Sequence, residues 1–320
     1  MTTTLRTVAE ACGIDISTVS RALRGDPRVA ATTVTQVQAV AERLGYRPNL
    51  AARALQAGST RTVWLITGSL EAGVERLLAS EAAAAIEPAG YDLLIASHHD
   101  QSLAFERLCG RLEQGVTDAA LVIAPNSAMP ASPALERLIA RRWPLVFLDR
   151  SPGSDQYPTV TSDNAGATRS LVQRLAADGA KRLAICPGPN NTVASMRTLT
   201  ASAEAQRLGL DVMTNPNASW LTSAHSSLAI FATSQHEIHA FCRHNANHLR
   251  NVQLTAAVFD AWIGEPHPMQ SVVVGVQDFA ALATRAAHRV LAAIADPLAW
   301  SSANDHLPPL RIDKIDSRFK

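Results

Sequence analysis

The sequence predicts a small all-helical N-terminal module joined to a larger α/β body of parallel strands flanked by helices. Three observations predict it. Residues 1–61 show helical apolar spacing cut by glycines, short apolar runs alternate with helical stretches from Val63 onward, and positive charge gathers at the amino end. Residues 1–61 hold eight arginines against four acids, whereas the other 259 residues hold 21 basic and 24 acidic side chains, for a net charge of +1 over 320 residues. A small basic module on a near-neutral body is a charge footprint of nucleic-acid binding.

Leu5, Val8 and Ala9 share one face of a first helix, with Thr4 as its cap and Gly13 able to take the left-handed turn that ends it. Asp15 can cap a second helix, in which Val19, Ala22 and Leu23 turn toward the first while Ile16, Ser17, Thr18, Ser20 and Arg21 stay outside. Two helices joined by about four residues including a glycine describe a helix-turn-helix, whose second helix offers its amino end to the DNA major groove. A ligand-free three-helix bundle has the same periodicity. Val34, Val37, Val40, Ala41 and Leu44 give a third helix that closes the small core. In GYRPNLAARALQAG, Gly45 and Pro48 stop that helix, Asn49 caps another from Leu50 to about Ala57, and Gly58 ends it. Isolated helices below roughly 12 to 15 residues are marginal in water, so this fourth helix needs a partner.

In the body, the runs VWLI, YDLLIA, AALVIA, PLVFLD, PTVTS, RLAICP, AIFAT, AAVFD and SVVVGV read as strands of βαβ units. Ligands of such sheets sit beyond the carboxyl ends of the strands, where the sequence places Asp149 and Arg150, residues 190–192, Thr233 and Ser234, Asp260, and Gln277. No GxGxxG, GxxxxGK[ST], GxSxG or HExxH occurs, and Lys181, Lys314 and Lys320 follow no glycine loop. Neither catalysis nor a cofactor is expected. Cys12, Cys109, Cys186 and Cys242 are widely spaced, which favours reduced thiols over a disulfide framework or zinc site. In HEIHAFCRHNANH, His236, His239, His244 and His248 spread over about half of a helix circumference, which favours a solvated surface over a metal site. No signal-like start and no run of about 18 apolar residues is present, so a cytoplasmic protein without a membrane span is expected.

From Leu5 through Leu55, without a gap, the sequence closely resembles the DNA-binding headpiece of the LacI/GalR family of bacterial transcription regulators, with TVSRAL and GYRPNLAARAL as its most specific motifs. The resemblance implies a DNA-facing set of Thr4, Ile16, Ser17, Thr18, Ser20, Arg21, Asn49, Ala52, Arg53 and Leu55. Ile16, Ser17 and Arg21 take its base-reading positions, and Leu55 matches a leucine wedged into the minor groove by a hinge helix that folds on DNA. Three positions depart from the family: Asp15 and Ala30 replace the usual capping hydroxyls, and Val34 stands where an arginine commonly meets phosphate.

The body resembles the effector-binding core of the same family, a two-lobed fold related to periplasmic sugar-binding proteins, through GYDLLIASHHDQ, PLVFLDR, TVTSDNAGATRSLVQRLAADGAKRLAIC and QDFAALATRAAHRVLAAI. ASHHDQ, LDRSP, IFATSQ and LPPLRIDKIDSRF look most like the fructose repressor, or catabolite repressor-activator (FruR/Cra), branch. The implied organisation is a headpiece over 1–58 with hinge helix 49–57, then a core over 59–320. Lobe 1 is expected over about 61–160 plus 279–301, and lobe 2 over about 161–278 plus 302–320. Asp149, Arg150, Arg197, Ser234, Asp260 and Gln277 match family effector contacts. Val74 replaces a polar contact common in that branch, and MRTLTASA replaces the usual RxxGF around Arg197. The implied function is a DNA-binding regulator, a repressor, that binds a pseudo-palindromic operator as a dimer or tetramer. Its effector would be a sugar or sugar phosphate, fructose phosphates included. A sugar-binding protein or sugar-modifying enzyme with no DNA role is the alternative.

Overall fold

The computed structural model of the chain describes residues 3–71, 73–126, 132–153, 156–222, 227–249, 252–260 and 269–316. It divides into two compact units, Met1–Thr60 and Arg61–Lys320. The outermost ends of the expected domains, residues 1–2 and 317–320, lie outside the described residues.

The first unit contains α1 (Leu5–Cys12), α2 (Ile16–Leu23), α3 (Ala31–Arg43) and α4 (Leu50–Ala57). Local chemistry sets the boundaries. The Thr4 hydroxyl accepts from Thr7 N while the Thr7 side chain reaches back to the Thr4 backbone, a reciprocal cap of α1. Gly13, at φ 67°, turns the chain out of α1, and the Asp15 carboxylate accepts from Ser17 N at 2.7 Å to start α2. Val8, Ala9, Val19, Ala22, Val37 and Ala41 form the core, enclosed by Leu5, Val34, Val40, Leu44 and Tyr46. Val34 therefore serves packing. Ala30 occupies the cap position of α3 and makes no side-chain bond there. Asn49 Oδ1 accepts from Ala52 N at 3.2 Å at the start of α4, and Gly58 closes it at φ 67°.

The second unit begins with β1 (Thr62–Thr67), α5 (Gly73–Ile86), β2 (Asp92–Ser97), α6 (Ser102–Glu113), β3 (Ala119–Val122), α7 (Pro133–Ala140), β4 (Leu145–Leu148) and β5 (Thr159–Ser162). It repeats that pattern with α8 (Asn164–Ala177), β6 (Arg182–Cys186), α9 (Thr192–Arg207), β7 (Asp211–Thr214), α10 (Ala218–Thr222), β8 (Ser227–Ala232), α11 (Gln235–His244), α12 (Ala246–Leu249), β9 (Gln253–Phe259) and β10 (Met269–Val276). The chain then returns through α13 (Phe279–Ala295), β11 (Asn304–Leu307) and β12 (Arg311–Asp316).

Two six-stranded sheets result, ordered β11-β5-β4-β3-β1-β2 and β12-β10-β9-β8-β6-β7. Their first five strands run through the same parallel topology, so β4 corresponds to β9 and α5 to α9. Each sheet is covered on both faces, which matches its near-continuous apolar strands. Phe105 and Phe147 anchor one face of the first lobe, and Phe231 and Phe259 meet edge to face in the second. Burying one such ring contributes about 1.5–3 kcal/mol.

The lobe boundaries differ from expectation. Thr161 and Ser162 belong to β5, and residues 304–307 form β11, which pairs with β5. Residues 302–307 therefore go with lobe 1, and the second lobe regains the chain only at β12, which pairs antiparallel with β10. Arg289 secures the return, donating to Thr159 O at 3.2 Å and Ser301 O at 2.7 Å. The strands β7, β11 and β12 were not expected from the sequence; all three are edge strands with half-exposed or polar side chains and no continuous apolar run. Three crossings join the lobes and bond to one another. Ser162 Oγ donates to Gln277 Oε1 at 2.6 Å, Asp163 N to Leu307 O at 2.6 Å, and Leu310 N to Val276 O at 2.9 Å.

Supplying the missing cap of α3 with Ala30→Ser should stabilise the headpiece by about 1 kcal/mol. Slower amide exchange across residues 31–43, relative to the unsubstituted chain, is the expected reading; unchanged or faster exchange would contradict it.

Candidate functional site

In the first unit, the amino end of α2 carries Ile16, 41% exposed, beside exposed Ser17 and Arg21, with Thr18 and Ser20 half-buried. Val19 and Ala22 are fully buried on the opposite face. The amphipathic pattern therefore fixes which side chains of α2 face outward. A shallow depression of about 400 Å³ beside this end is lined by Arg6, Glu10, Asp15 and Ile16 among others. Arg6, exposed on α1, is a cation that the sequence reading did not single out; its only signal was its place one residue after Leu5. Hydrogen bonds from Ser17 hold the Asp15 carboxyl below the usual range, so a negative charge sits beside the outward face. Thr4 is exposed, with its hydroxyl engaged in the α1 cap. On α4, Ala52 and Arg53 are exposed and Leu55 is 87% exposed, while Asn49 caps the helix. An aliphatic side chain that open is a poor hydrophobic contributor to the isolated unit.

In the second unit, four of the six expected effector residues come together where the strands end, and the other two serve the same region structurally. Asp149 follows β4 and Asp260 follows β9, the equivalent strand of the other lobe. Both have left-handed backbones, at φ 67° and 72°. For aspartate this is an uncommon conformation that costs free energy and is retained where the surroundings demand it. Burial pushes the Asp149 carboxyl upward against the pull of Arg150 and Arg197. Asp260 is likewise raised by burial, with Arg197 and a hydrogen bond from Gln277 Nε2 opposing the shift.

Arg197, on α9, donates from Nε to Asn164 Oδ1 and from Nη1 to Thr233 O, both at 2.8 Å, and its guanidinium lies 3.6 Å from the centre of the Phe259 ring. Burial lowers its pKa, while Asp260 and Asp149 favour its charged form. Arg150 donates from Nε to Ala124 O at 3.1 Å and from Nη2 to Glu75 Oε1 at 3.0 Å; its Nη1 lies 4.0 Å from Asp149 Oδ2. Gln277 links the crossings to Asp260, accepting from Ser162 and donating to the carboxylate. Ser234 is used otherwise: its hydroxyl accepts from His236 N and donates to Glu237, capping α11.

Sequence reasoning missed Glu75, Asn164 and Asn126. Val74 drew attention, yet it packs against the first-lobe core while its neighbour Glu75 is the buried polar group. At the rim, Asn191 Nδ2 donates to Asn126 Oδ1 at 3.1 Å and Thr192 Oγ1 to Ser151 O at 3.0 Å, so the lobes touch across the cleft. Among the described residues, buried Asp149 Oδ1 and Thr233 Oγ1 have no hydrogen-bond partner, and a side chain on Gly188 would collide with Thr233 Oγ1.

The histidine-rich segment breaks at Asn245 into α11 and α12. His244 and His248 line a separate groove of about 630 Å³ with Glu237, Asn215 and Asn217. Among the described residues, no three histidine, cysteine or acidic side chains are arranged to hold a metal, and no helix is long and apolar enough to cross a membrane.

Residues 4–49 match the family described as "Bacterial regulatory proteins, lacI family". The HTH-type transcriptional regulator AglR of Rhizobium meliloti is 34% identical over 206 residues, which are 62% of this chain and 56% of AglR. The curated relatives are matched over 51 to 62% of their length. Among solved structures, the lac repressor dimer bound to operator and an anti-inducer aligns with a TM-score of 0.75 at 18% identity, covering 99% of this chain and 98% of that one. The Cra regulator of Pseudomonas putida in complex with fructose 1-phosphate aligns with a TM-score of 0.65 at 20% identity, over 79% of this chain and 98% of that one. At these identities the solved structures show a shared fold.

Arg197→Ala would leave buried carboxylates uncompensated and should cost the body about 3–5 kcal/mol, read as a lower urea midpoint; a loss below about 1 kcal/mol would show that the network does not depend on it. Asp149 and Asp260 bind protons more tightly in the native state than in the unfolded chain, so their stabilising contribution is fullest below about pH 3.9 and is lost as pH rises through the raised native values. Asp149→Asn removes one such loss. Its melting temperature should therefore gain on the unsubstituted chain between about pH 5 and pH 8; a gap that narrows with rising pH would refute the assignment.

Proposed function

We propose that this chain, a member of the LacI family of bacterial regulatory proteins, is a sequence-specific DNA-binding transcription regulator, a repressor, whose operator affinity is set by a small hydroxyl-rich effector. The observation that carries this reading is the amino end of α2, where Ile16, Ser17 and Arg21 face outward from a helix-turn-helix whose opposite face is buried. Arg21 can reach a guanine edge, Ser17 offers a single hydrogen bond, and Ile16 suits a thymine methyl. The surplus of arginine over acid in the first unit supplies the phosphate attraction.

Two headpieces are needed to read two half-sites, so the working form is a symmetric dimer assembled through the body. The edge strand β2 supports this, because Leu94 and Ile95 are 47% and 48% exposed and Leu77 of the adjacent α5 is 44% exposed. Paired over the minor groove, two copies of α4 would bury Leu55 against the bases and kink the duplex. Effector held between the lobes would change how they close, and through the linkers how readily α4 pairs. Such couplings are typically about 1–3 kcal/mol. The place of work is the cytoplasm.

Gel shifts with fragments of the source genome should find a preferred site whose affinity falls steeply with salt; folded protein that prefers no fragment at low salt would sink the reading. Leu55→Ala should weaken binding to that site more than tenfold without changing the melting temperature of the body. Arg21→Ala should cost about 1–3 kcal/mol and relax the preference at one base pair per half-site; a uniform loss across all sequences would instead assign Arg21 to phosphate.

A further inference from the structure

We propose that Glu75 determines the ligand class of the interlobe cleft: by holding the Arg150 guanidinium it bars phosphate-bearing ligands and reserves the site for uncharged, hydroxyl-rich ones. This rests on the effector reading above and narrows it. Arg150 is a buried cation of the first lobe beside Asp149, and a guanidinium recognises phosphate best through two parallel N–H donors. The side-on pair of donors, Nε and Nη2, is engaged. Nε is bound to Ala124 O and Nη2 to Glu75 Oε1, and the remaining nitrogen faces Asp149. Both partners of the Arg150–Glu75 pair are deeply buried, with side chains 10% and 6% exposed. A phosphate that took over Arg150 would strand the Glu75 carboxylate without a partner in that interior.

Arg197 offers little more. Its Nε and Nη1 are bound to Asn164 and Thr233, and its flat face is covered by Phe259. Glu75, Asp149 and Asp260 set three carboxyl groups around these two guanidiniums. Among the described residues, the buried atoms that lack partners include Asp149 Oδ1 and Thr233 Oγ1. A sugar hydroxyl, donor and acceptor at once, satisfies either without adding charge.

The test uses the full chain in calorimetry and thermal shift, with fructose and fructose 1-phosphate, glucose and glucose 6-phosphate as matched pairs, and with cellobiose, maltose, sucrose and trehalose. The expected result is binding by at least one uncharged sugar and a preference of more than tenfold for each uncharged member over its phosphorylated partner wherever a pair binds. Glu75→Gln, which keeps the shape and removes the charge, should raise affinity for the phosphorylated sugars at least tenfold. Wild-type protein that binds a sugar phosphate more tightly than its parent sugar overturns the role of Glu75 and leaves the effector reading standing. Silence across the whole panel overturns both. Should Glu75→Gln fail to fold, the wild-type matched pairs decide alone.

Discussion

The body depends on charges held between its two lobes. Two copies of one parallel topology meet so that the strands β4 and β9 each end in a buried aspartate with a left-handed backbone, and Arg197 of the second lobe interacts electrostatically with both. Neither the strained backbones nor the desolvated carboxyls are favourable alone. They persist because guanidiniums and amides converge on them from the end of β4, α8, α9 and the bonded crossings, with Glu75 of α5 anchoring Arg150. A cleft built this way is sensitive by construction. Several of its polar groups are bonded between lobes and crossings, so a molecule entering between them would change that balance.

Much of this was legible in the residues. Caps and glycines at Thr4, Gly13, Asp15, Asn49 and Gly58 mark the helices of the first unit because each performs a local task that few residue types can perform. Asp149 and Asp260 stood out for a similar reason, as single acids directly after apolar strands. Glu75 did not, because one glutamate near the start of an alanine-rich helix reads as solvated until the arginine from 75 residues away is seen beside it. Ser234 shows the opposite case: its position suggested a ligand contact, but its hydroxyl caps α11. Edge strands β7, β11 and β12 escaped notice because half of their hydrogen-bonding edge and much of their side-chain surface face away from the core.

The first unit has a different economy. Its core of six small or branched side chains is self-contained across α1 to α3, whereas α4 has one helical cap, a glycine stop and a leucine turned outward. Eight residues do not make a stable helix in water. Under the proposed function this weakness has a use, since the free energy of forming α4 is supplied by its partners, DNA and a second copy of itself. An effector that alters the linkers then acts on a segment near balance, where a few kilocalories change its population greatly.

Amide hydrogen exchange across residues 50–57, measured on the full chain with and without its selected DNA fragment, tests that claim most directly. Folding coupled to DNA predicts exchange near the unfolded rate in the free protein and strong protection in the complex, while α1 to α3 are protected in both. Equal protection of residues 50–57 in the two states would contradict it.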